Sequence, residues 1–333
     1  MHRKYSDLIK AEARRLGFDH CGISKASYLA AHATHLKIWL KKGLQGEMDY
    51  MARHPEKRLD PRKLVSGTRS VISVIMSYNT DHKQTDHTAP VISKYAYGKD
   101  YHKVIRKRLK KLLAYIQNEI QPTNGRVFVD SAPVLDRAWA EKAGLGWIGK
   151  NANLISTKFG SFVFIGSVFI DLELAYDSPT SDMCGGCTKC IAACPTQAII
   201  RPKVIDSKRC ISYFTIEYKG QLPESLRERF HNRIFGCDIC QDVCPWNRKA
   251  PLNHIDEFVP EKELLEMKRK DWINMDEDKF DRLFQGSAVK RVRFEGLKRN
   301  IRFVLSSCGF INPQVYHIRI SNPNEQNPDF KSE

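Results

Sequence analysis

The sequence lacks any apolar run long enough to cross a membrane, because no stretch approaches the ~18 residues that a spanning helix needs. It also lacks an export signal: its first residues, MHRKYSDLIKAEARRLGF, are charged and amphipathic rather than a basic start followed by an apolar segment. Apart from a region rich in cysteine, no segment repeats. These absences predict a cytoplasmic protein that has no membrane partner.

Acidic residues are too few to balance the basic ones. The chain of 333 residues has 54 lysines and arginines against 38 aspartates and glutamates, a formal net charge of +16. Such an excess suits a polyanionic partner such as nucleic acid, although solvated lysine faces are the simpler alternative.

Cysteine, in contrast, is abundant, and eight of the 10 cysteines lie between Cys184 and Cys244. In the reducing cytosol, clustered cysteines bind metal more often than they form disulfides. Cys21 and Cys308 stand apart from the others, and we expect both to be small packed hydrophobes.

The pattern of apolar residues predicts a mixed α and β fold with three parts. In the first part, residues 1–175, helices and strands alternate, which is typical of an α/β or α+β domain. Predicted helices cover 4–17, 28–42, 101–120 and about 134–146, and predicted strands cover 70–78, 126–130 and 161–170. Residues 176–250 hold the cysteines. Residues 251–333 are basic and helical, most clearly in SAVKRVRFEGLKRNIRFVL, and the tail SNPNEQNPDFKSE is expected to be disordered.

The stretch CGGCTKCIAACP has the C-x2-C-x2-C-x3-C-P spacing of bacterial ferredoxins, in which the fourth cysteine reaches a second 4Fe-4S cluster. A second run, CDICQDVCP, repeats the spacing but lacks the first cysteine, which Cys210 can replace. The crossover rule predicts one cluster on Cys184, Cys187, Cys190 and Cys244, and another on Cys194, Cys210, Cys237 and Cys240. Four-thiolate zinc sites are the competing interpretation. A Cx3Cx2C run, which would leave one iron open for radical chemistry, is absent.

Asp130 ends the short strand RVFVD and stands at a position common for catalytic acids. The alternative is structural, since Asp130 or Ser131 can cap the helix that follows, with Pro133 in its first turn.

Several motifs spread along the chain resemble those of the epoxyqueuosine reductases, which complete the queuosine modification of tRNA. They are VDSAPVLDR, AGLGWIGKN, YGKDYH, CISYFTIE and the paired cysteine runs, and the resemblance spans about residues 5–305. It implies a nitroreductase-like N-terminal domain that binds cobalamin, a two-cluster ferredoxin-like domain and a short helical C-terminal region. The implied reaction removes the epoxide oxygen of epoxyqueuosine at the wobble position of tRNA.

The same resemblance implies roles for individual residues. Asp130 is the implied proton donor, and burial beside the corrin is expected to raise its pKa. Cobalamin is expected in its base-off form without a histidine ligand, and the D-x-H-x-x-G signature of the histidine-ligated class is absent. Residues placed near the corrin by family position are Arg53, Ser93, Lys94, Tyr95, Asp130, Lys150, Asn151 and Ser212. A surface charge or a satisfied turn is the alternative for each of them.

Two basic segments, GKDYHKVIRKRLKK and KRVRFEGLKRNIR, are candidates for contact with the phosphates of the anticodon stem. For His102 the sequence favours a packing or capping role over that of a base. The expected partners are tRNA and an external low-potential electron donor, and a monomer is expected. Two other functions remain open: a small-molecule reductive dehalogenase, and a ferredoxin-like electron carrier.

Overall fold

The fold is described from a computed structural model, which describes residues 1–306. The predicted disordered tail and Cys308 lie outside the described residues. The α-helices are α1 (His2–Arg15), α2 (Ala30–Lys41), α3 (Pro55–Leu59), α4 (Pro61–Leu64), α5 (Tyr101–Tyr115), α6 (Asp136–Lys142), α7 (Lys189–Ala192), α8 (Ile211–Ile216), α9 (Ile239–Asp242), α10 (Lys262–Glu266), α11 (Arg269–Ile273), α12 (Glu277–Leu283) and α13 (Arg293–Leu305). The strands are β1 (His20–Lys25), β2 (Ser70–Ser77), β3 (Val91–Ile92), β4 (Gly125–Phe128), β5 (Trp147–Ile148), β6 (Leu154–Ile155), β7 (Val163–Ile170), β8 (Ile199–Arg201), β9 (Val204–Ile205) and β10 (Arg233–Phe235).

The main sheet has four strands in the order β1-β2-β7-β4, and all of its pairings are antiparallel. The sequence allowed either an α/β or an α+β domain here. Because the sheet is antiparallel, the N-terminal part is α+β. The strands predicted at 70–78, 126–130 and 161–170 are present as β2, β4 and β7. Strand β1 was not predicted, because HCGISK is short and contains a glycine and several polar residues. Gly22 is needed there, since a Cβ atom would stand 2.1 Å from the carbonyl oxygen of Ala143.

Helices cover both faces of this sheet, which explains why SVISVIMS has apolar residues in adjacent pairs and triplets rather than in strict alternation with polar ones. Ile72 and Val74 pack with residues of α1 and α5, including Ile9 and Leu109. Val71 packs on the opposite face with residues of α6. Every residue of β2 is buried as a result, as the sequence predicted.

The predicted helices are also present: α1 is shifted by two residues towards the N-terminus, and α2, α5 and α6 are shorter than predicted. α5 continues from Tyr115 into one π-helical turn at Ile116–Ile120, and α13 is preceded by a 3-10 turn at Ala288–Val292. The polar segment that follows α2 forms the short helices α3 and α4, each with a proline in its first turn.

A second hydrophobic core forms around α8 and β10 of the cysteine-rich part and α13 of the C-terminal part. Trp272, Phe284 and Leu297 are buried in it, together with Ile92 of β3 from the N-terminal part. The parallel pairing of β3 with β10 places the segment that follows β3 against the cysteine-rich region. Among residues 1–306, none of the helices combines the length and apolar character needed to span a bilayer.

Candidate active site

The structure brings Cys184, Cys187, Cys190 and Cys244 together as a first thiol group. Burial raises the pKa of Cys190, and the nearby sulfur of Cys244 raises it further. Cys184 and Cys187 also raise the pKa of Cys190, and both raise the pKa of Cys244. Such mutual effects require short distances between the sulfurs. The first three cysteines of CGGCTKCIAACP therefore lie with the last cysteine of the second run.

Cys194, Cys210, Cys237 and Cys240 form a second thiol group. Burial raises the pKa of Cys240 well above that of a free thiol, and Cys237, Cys210 and Cys194 add to this effect in that order. Burial also raises the pKa of Cys237 to about 12. Cys190 of the first thiol group acts on Cys240 too, so the two groups are neighbours.

Hydrogen-bond donors point at the sulfurs of both groups. The indole nitrogen of Trp147 donates to Cys184 Sγ at 3.4 Å, and the amide of Ala198 donates to Cys194 Sγ at 3.2 Å. The backbone N–H groups of Tyr213 and Ser212 hydrogen-bond Cys210. These donors favour thiolates, and hydrogen bonds to sulfur are one means by which proteins tune iron-sulfur clusters. The chemistry of both groups thus fits two iron-sulfur clusters.

The predicted corrin contacts Ser93 and Lys94 lie against the loop of the second thiol group. The hydroxyl of Ser93 and the backbone N–H of Lys94 both donate to the buried carboxylate of Asp238. The Lys94 ammonium lies 2.7 Å from a carboxylate oxygen of Asp242. Gly236, at φ +73°, permits this approach, because a Cβ atom there would stand 2.5 Å from the Cβ atom of Ser93.

The other predicted corrin contacts have separate surroundings. Lys150 Nζ donates to the carbonyl of Gly185 at 2.7 Å, beside the first thiol group, and Asn151 Nδ2 donates to the carbonyl of Cys240 at 3.3 Å. Tyr95 is largely buried between the rings of Tyr101 and Phe235, and so connects the cysteine region with α5. Arg53 is exposed and follows a short 3-10 turn, and Ser212 lies next to Cys210 as described above.

Asp130 follows β4 with a left-handed backbone, at φ +51°. This conformation is costly for most residues that have a Cβ atom, and it is more common for Asp and Asn. The hydroxyl of Tyr101 donates to Asp130 Oδ2 at 2.6 Å. The side chain is 63% exposed, and we call the solvent-accessible space beside it the Asp130 cleft. The helix α6 begins only at Asp136, so neither Asp130 nor Ser131 caps it, and the alternative role as a helix cap does not apply.

His102 connects Asp130 to a second carboxylate. Its Nε2 lies 3.6 Å from Asp130 Oδ2, and its Nδ1 lies 2.7 Å from Asp100 Oδ1. Asp100 also accepts the backbone N–H of His102 and so caps α5. Burial lowers the pKa of His102, but the two carboxylates outweigh this effect and raise it to about 9. The imidazole is therefore protonated at neutral pH, and His102 does more than pack or cap.

These contacts oppose the rise in the pKa of Asp130 that is expected beside a corrin. Desolvation of the carboxylate raises the pKa, but the ion pair with His102, the hydrogen bond from Tyr101 and the charge of Arg137 together outweigh it and leave the pKa lowered. Without other groups in the cleft, Asp130 is thus a carboxylate, and the nearby proton resides on His102.

Sequence reasoning missed other residues that face the same cleft as Asp130. Burial, then Glu217 and Asp130, raise the pKa of Tyr50 to about 12, while Arg291 opposes them. Arg291 Nη2 donates to both carboxylate oxygens of Glu217, at 2.8 and 3.0 Å. Nothing in the spacing singled these residues out, because they come from three distant segments.

Two buried polar atoms of the cleft have no hydrogen-bond partner within the described part of the chain: Asp136 Oδ1 and Arg58 Nε. Burial, and then the charge of Asp130, raise the pKa of Asp136 to about 8. Unpaired buried polar atoms are costly. A molecule with amide groups, such as a corrin, can pair with both, so the donors and acceptors of the cleft fit that class of cofactor.

Comparison with known proteins gives two family matches. Residues 58–131 match the family model described as "Epoxyqueuosine reductase QueG, DUF1730", and residues 183–247 match a "4Fe-4S double cluster binding domain". The second match spans all eight clustered cysteines, and it decides for iron-sulfur clusters over zinc.

Curated relatives match over nearly the whole chain. An epoxyqueuosine reductase of Cellulophaga algicola is 55% identical over 90% of this chain and 98% of its own length. The enzyme of Escherichia coli K12 is 43% identical over 90% of this chain and 80% of its own.

Solved structures of epoxyqueuosine reductases are similar as well. One was determined with an epoxyqueuosine-modified stem-loop of a tyrosine tRNA, and it has a TM-score of 0.85 at 28% identity, covering 91% of this chain and 81% of that one. Another, from Bacillus subtilis, shows the loop of its catalytic aspartate swung out of the active site, with a TM-score of 0.83, 28% identity and the same two coverages. These similarities set aside the dehalogenase and electron-carrier alternatives. The chain belongs to the epoxyqueuosine reductase family, oxidoreductases of tRNA queuosine biosynthesis, and it carries a 4Fe-4S double cluster binding domain.

Proposed function

We propose that the protein reduces epoxyqueuosine to queuosine at the wobble position of tRNA. The conversion takes two electrons and two protons, breaks both carbon–oxygen bonds of the epoxide and releases the oxygen as water, leaving an alkene. The observation that carries the proposal is the group of Asp130, Tyr101 and His102 in an open cleft, which Tyr95 connects to the second thiol group. The stem-loop bound by a structural relative supports tRNA as the substrate.

The two thiol groups are proposed to hold one 4Fe-4S cluster each, with the ligands that the crossover rule predicts. Electrons from an external low-potential donor would enter at the first group. Its loop is open, since Gly185 and Gly186 are exposed and no atom lies within 4 Å of where a Cβ atom would stand. The second group adjoins Ser93 and Lys94, which both bind Asp238 between Cys237 and Cys240.

Cobalamin, base-off and without a histidine ligand, is the cofactor proposed for the cleft, and it would supply a strongly reducing metal centre. Tyr95 and the unpaired polar atoms of Arg58 and Asp136 would bind it. The other expected contacts are Arg53, Ser93, Lys94, Lys150, Asn151 and Ser212. The proposed organisation is a nitroreductase-like domain at 1–175, a two-cluster domain at 176–250 and a C-terminal region at 251–333. The protein is proposed to act as a monomer in the cytoplasm.

Asp130 is the proposed proton donor to the oxygen that leaves. Because its pKa is lowered, it must receive the proton that it delivers, and His102 is the protonated group beside it. Asp100 holds the other ring nitrogen of His102 and so keeps Nε2 directed at Asp130. The backbone strain at Asp130 agrees with a loop that changes conformation, as the loop of the Bacillus subtilis relative does.

The proposed function is tested by anaerobic turnover. The purified protein is supplied with cobalamin, a low-potential reductant and tRNA that carries epoxyqueuosine, and the nucleosides are measured by mass spectrometry. We expect queuosine to form only when all three are present. Formation of queuosine without cobalamin would contradict the cofactor, and failure with all three would contradict the function.

The role of His102 predicts a pH dependence. Its pKa is raised to about 9, so the imidazole carries its proton below that pH and loses it above. We expect kcat/KM to fall as pH rises through about 9, and His102→Gln to lower turnover by about 100-fold and remove this limb. The pH–rate profile is the measurement, and exposed His87→Gln is the control. An unchanged high-pH limb in His102→Gln would assign the titration to another group.

A further inference from the structure

Three exposed lysines on the outer face of α5 are the next feature of the charge distribution. Lys107, Lys110 and Lys111 are exposed, and none makes a hydrogen bond or ion pair with any residue from 1 to 306. Positions three and four apart are neighbours on a helix, so like charges at these spacings destabilise it. Folding therefore does not explain this group of charges, which we name the α5 lysine face.

The other basic segment is used differently. Of its six basic side chains, four bind groups of the protein itself. Lys290 pairs with Asp281, and Arg291 pairs with Glu217. Lys298 and Arg299 donate to backbone carbonyls at the ends of neighbouring elements. Arg293 and Arg302 alone remain without such contacts among the described residues. Most of the cations in the C-terminal segment therefore stabilise the fold of the protein itself.

The α5 lysine face also begins next to the catalytic group. Tyr101 and His102, in the first turn of α5, contact Asp130. One turn later, Arg106 Nη2 donates to Ser131 Oγ at 2.7 Å and so connects the helix to the Asp130 loop. With a rise of 1.5 Å per residue, Lys107 to Lys111 lie about 7 to 14 Å from His102 along the helix axis.

An enzyme that acts on a base must take that nucleotide into its cleft while the neighbouring phosphates stay at the entrance. We propose that the α5 lysine face binds backbone phosphates of the RNA strand next to the nucleotide that enters the Asp130 cleft. This inference rests on the proposed function and decides which of the two basic segments carries most of the RNA contact. Lys103 is not part of the surface, because its charge acts on Asp100 in the catalytic group.

The test uses a triple variant, Lys107→Gln, Lys110→Gln and Lys111→Gln, in the protein with its clusters. A matched triple variant, Lys219→Gln, Arg293→Gln and Arg302→Gln, removes the same charge from exposed positions outside α5, two of them in the C-terminal segment. Fluorescence anisotropy measures the Kd of an epoxyqueuosine anticodon stem-loop over a series of salt concentrations. Each phosphate contact contributes about 0.7 to 0.9 to the slope of log K against log salt. We expect the α5 variant to lose about 2 in slope and to bind about 10- to 100-fold more weakly near 0.15 M salt.

The outcomes separate this inference from the proposed function. A wild-type protein that neither binds the stem-loop nor converts it would overturn the function. If the wild-type protein does both and the α5 variant has an unchanged Kd and slope, the α5 lysine face does not bind RNA. Its lysines would then be ordinary solvated side chains. A larger loss in the C-terminal variant than in the α5 variant would assign the contact to that segment instead. Iron content and circular dichroism check that both variants fold.

Discussion

Cys210→Ala is expected to halve the iron and sulfide of the protein, from about eight to about four of each per chain, and to abolish turnover. Cys210 lies outside both cysteine runs, yet its sulfur joins Cys194, Cys237 and Cys240 in the second thiol group. A cluster that has lost one of its thiolates leaves an iron without its ligand. Because the second group adjoins the cleft, its loss breaks the path of electrons to the substrate. Iron and sulfide assays on anaerobically purified protein, with electron paramagnetic resonance of the reduced sample, measure the effect.

Cys21→Ala is the matched control. Cys21 is also a buried cysteine, with 5% of its surface exposed, but it lies in β1 and packs in the core of the main sheet, as its isolation in the sequence predicted. We expect this variant to keep its full iron and sulfide content. Full cluster content in Cys210→Ala would contradict the ligand assignment, and zinc without sulfide in the wild-type protein would contradict both clusters.

Asp130→Asn is expected to lower turnover by at least about 10²- to 10⁴-fold, the range that a positioned general acid contributes. Asparagine keeps the size of the side chain and also tolerates the left-handed backbone that this position requires, so the loop conformation is preserved. The amide cannot pass a proton from His102 to the leaving oxygen. Single-turnover conversion of epoxyqueuosine in tRNA, followed by mass spectrometry, measures the loss.

The spectra of the clusters and of bound cobalamin should be unchanged in Asp130→Asn, and so should the Kd for the stem-loop. Asp81→Asn is the control, because Asp81 is exposed and its side chain has no hydrogen bond or ion pair in the described part of the chain. Asp81→Asn should retain full activity. Wild-type turnover in Asp130→Asn would remove Asp130 from the proton path and leave Asp136, whose pKa is raised to about 8, as the acid to examine.

Sequence patterns predicted correctly those features that depend on residues close together in the chain. The x2 and x3 spacings around the cysteines, together with the proline after each run, predicted a double-cluster domain, and the match at residues 183–247 confirms it. The apolar run of β2 and the periodicity of α5 predicted both elements, because each buries a continuous apolar surface in a hydrophobic core. Strand β1 was missed because its burial depends on neighbours distant in sequence: β2 and Ala143.

Only part of the candidate site could be predicted from the sequence. Asp130 was found through a motif, but the effect of His102 and Tyr101, which lower its pKa, was not predicted because both come from another element. Tyr50, Glu217 and Arg291 were missed because no local spacing connects them, and only the packing of the C-terminal part against the sheet domain directs them at one cleft.

The sequence by itself determined which atoms are present and at what spacing: eight thiols in two runs and between them, an aspartate at a strand end, and an excess of positive charge. Tertiary structure decided how those groups are combined. It set Cys244 beside the first run and placed His102 between two carboxylates. Within residues 1–306 it left the α5 lysines without ion pairs, while four of the six cations of the C-terminal segment bind groups of the protein. The physical reason is that pKa values, ion pairs and ligand sets depend on distances of a few ångströms between residues far apart in the chain, and only the folded backbone sets those distances.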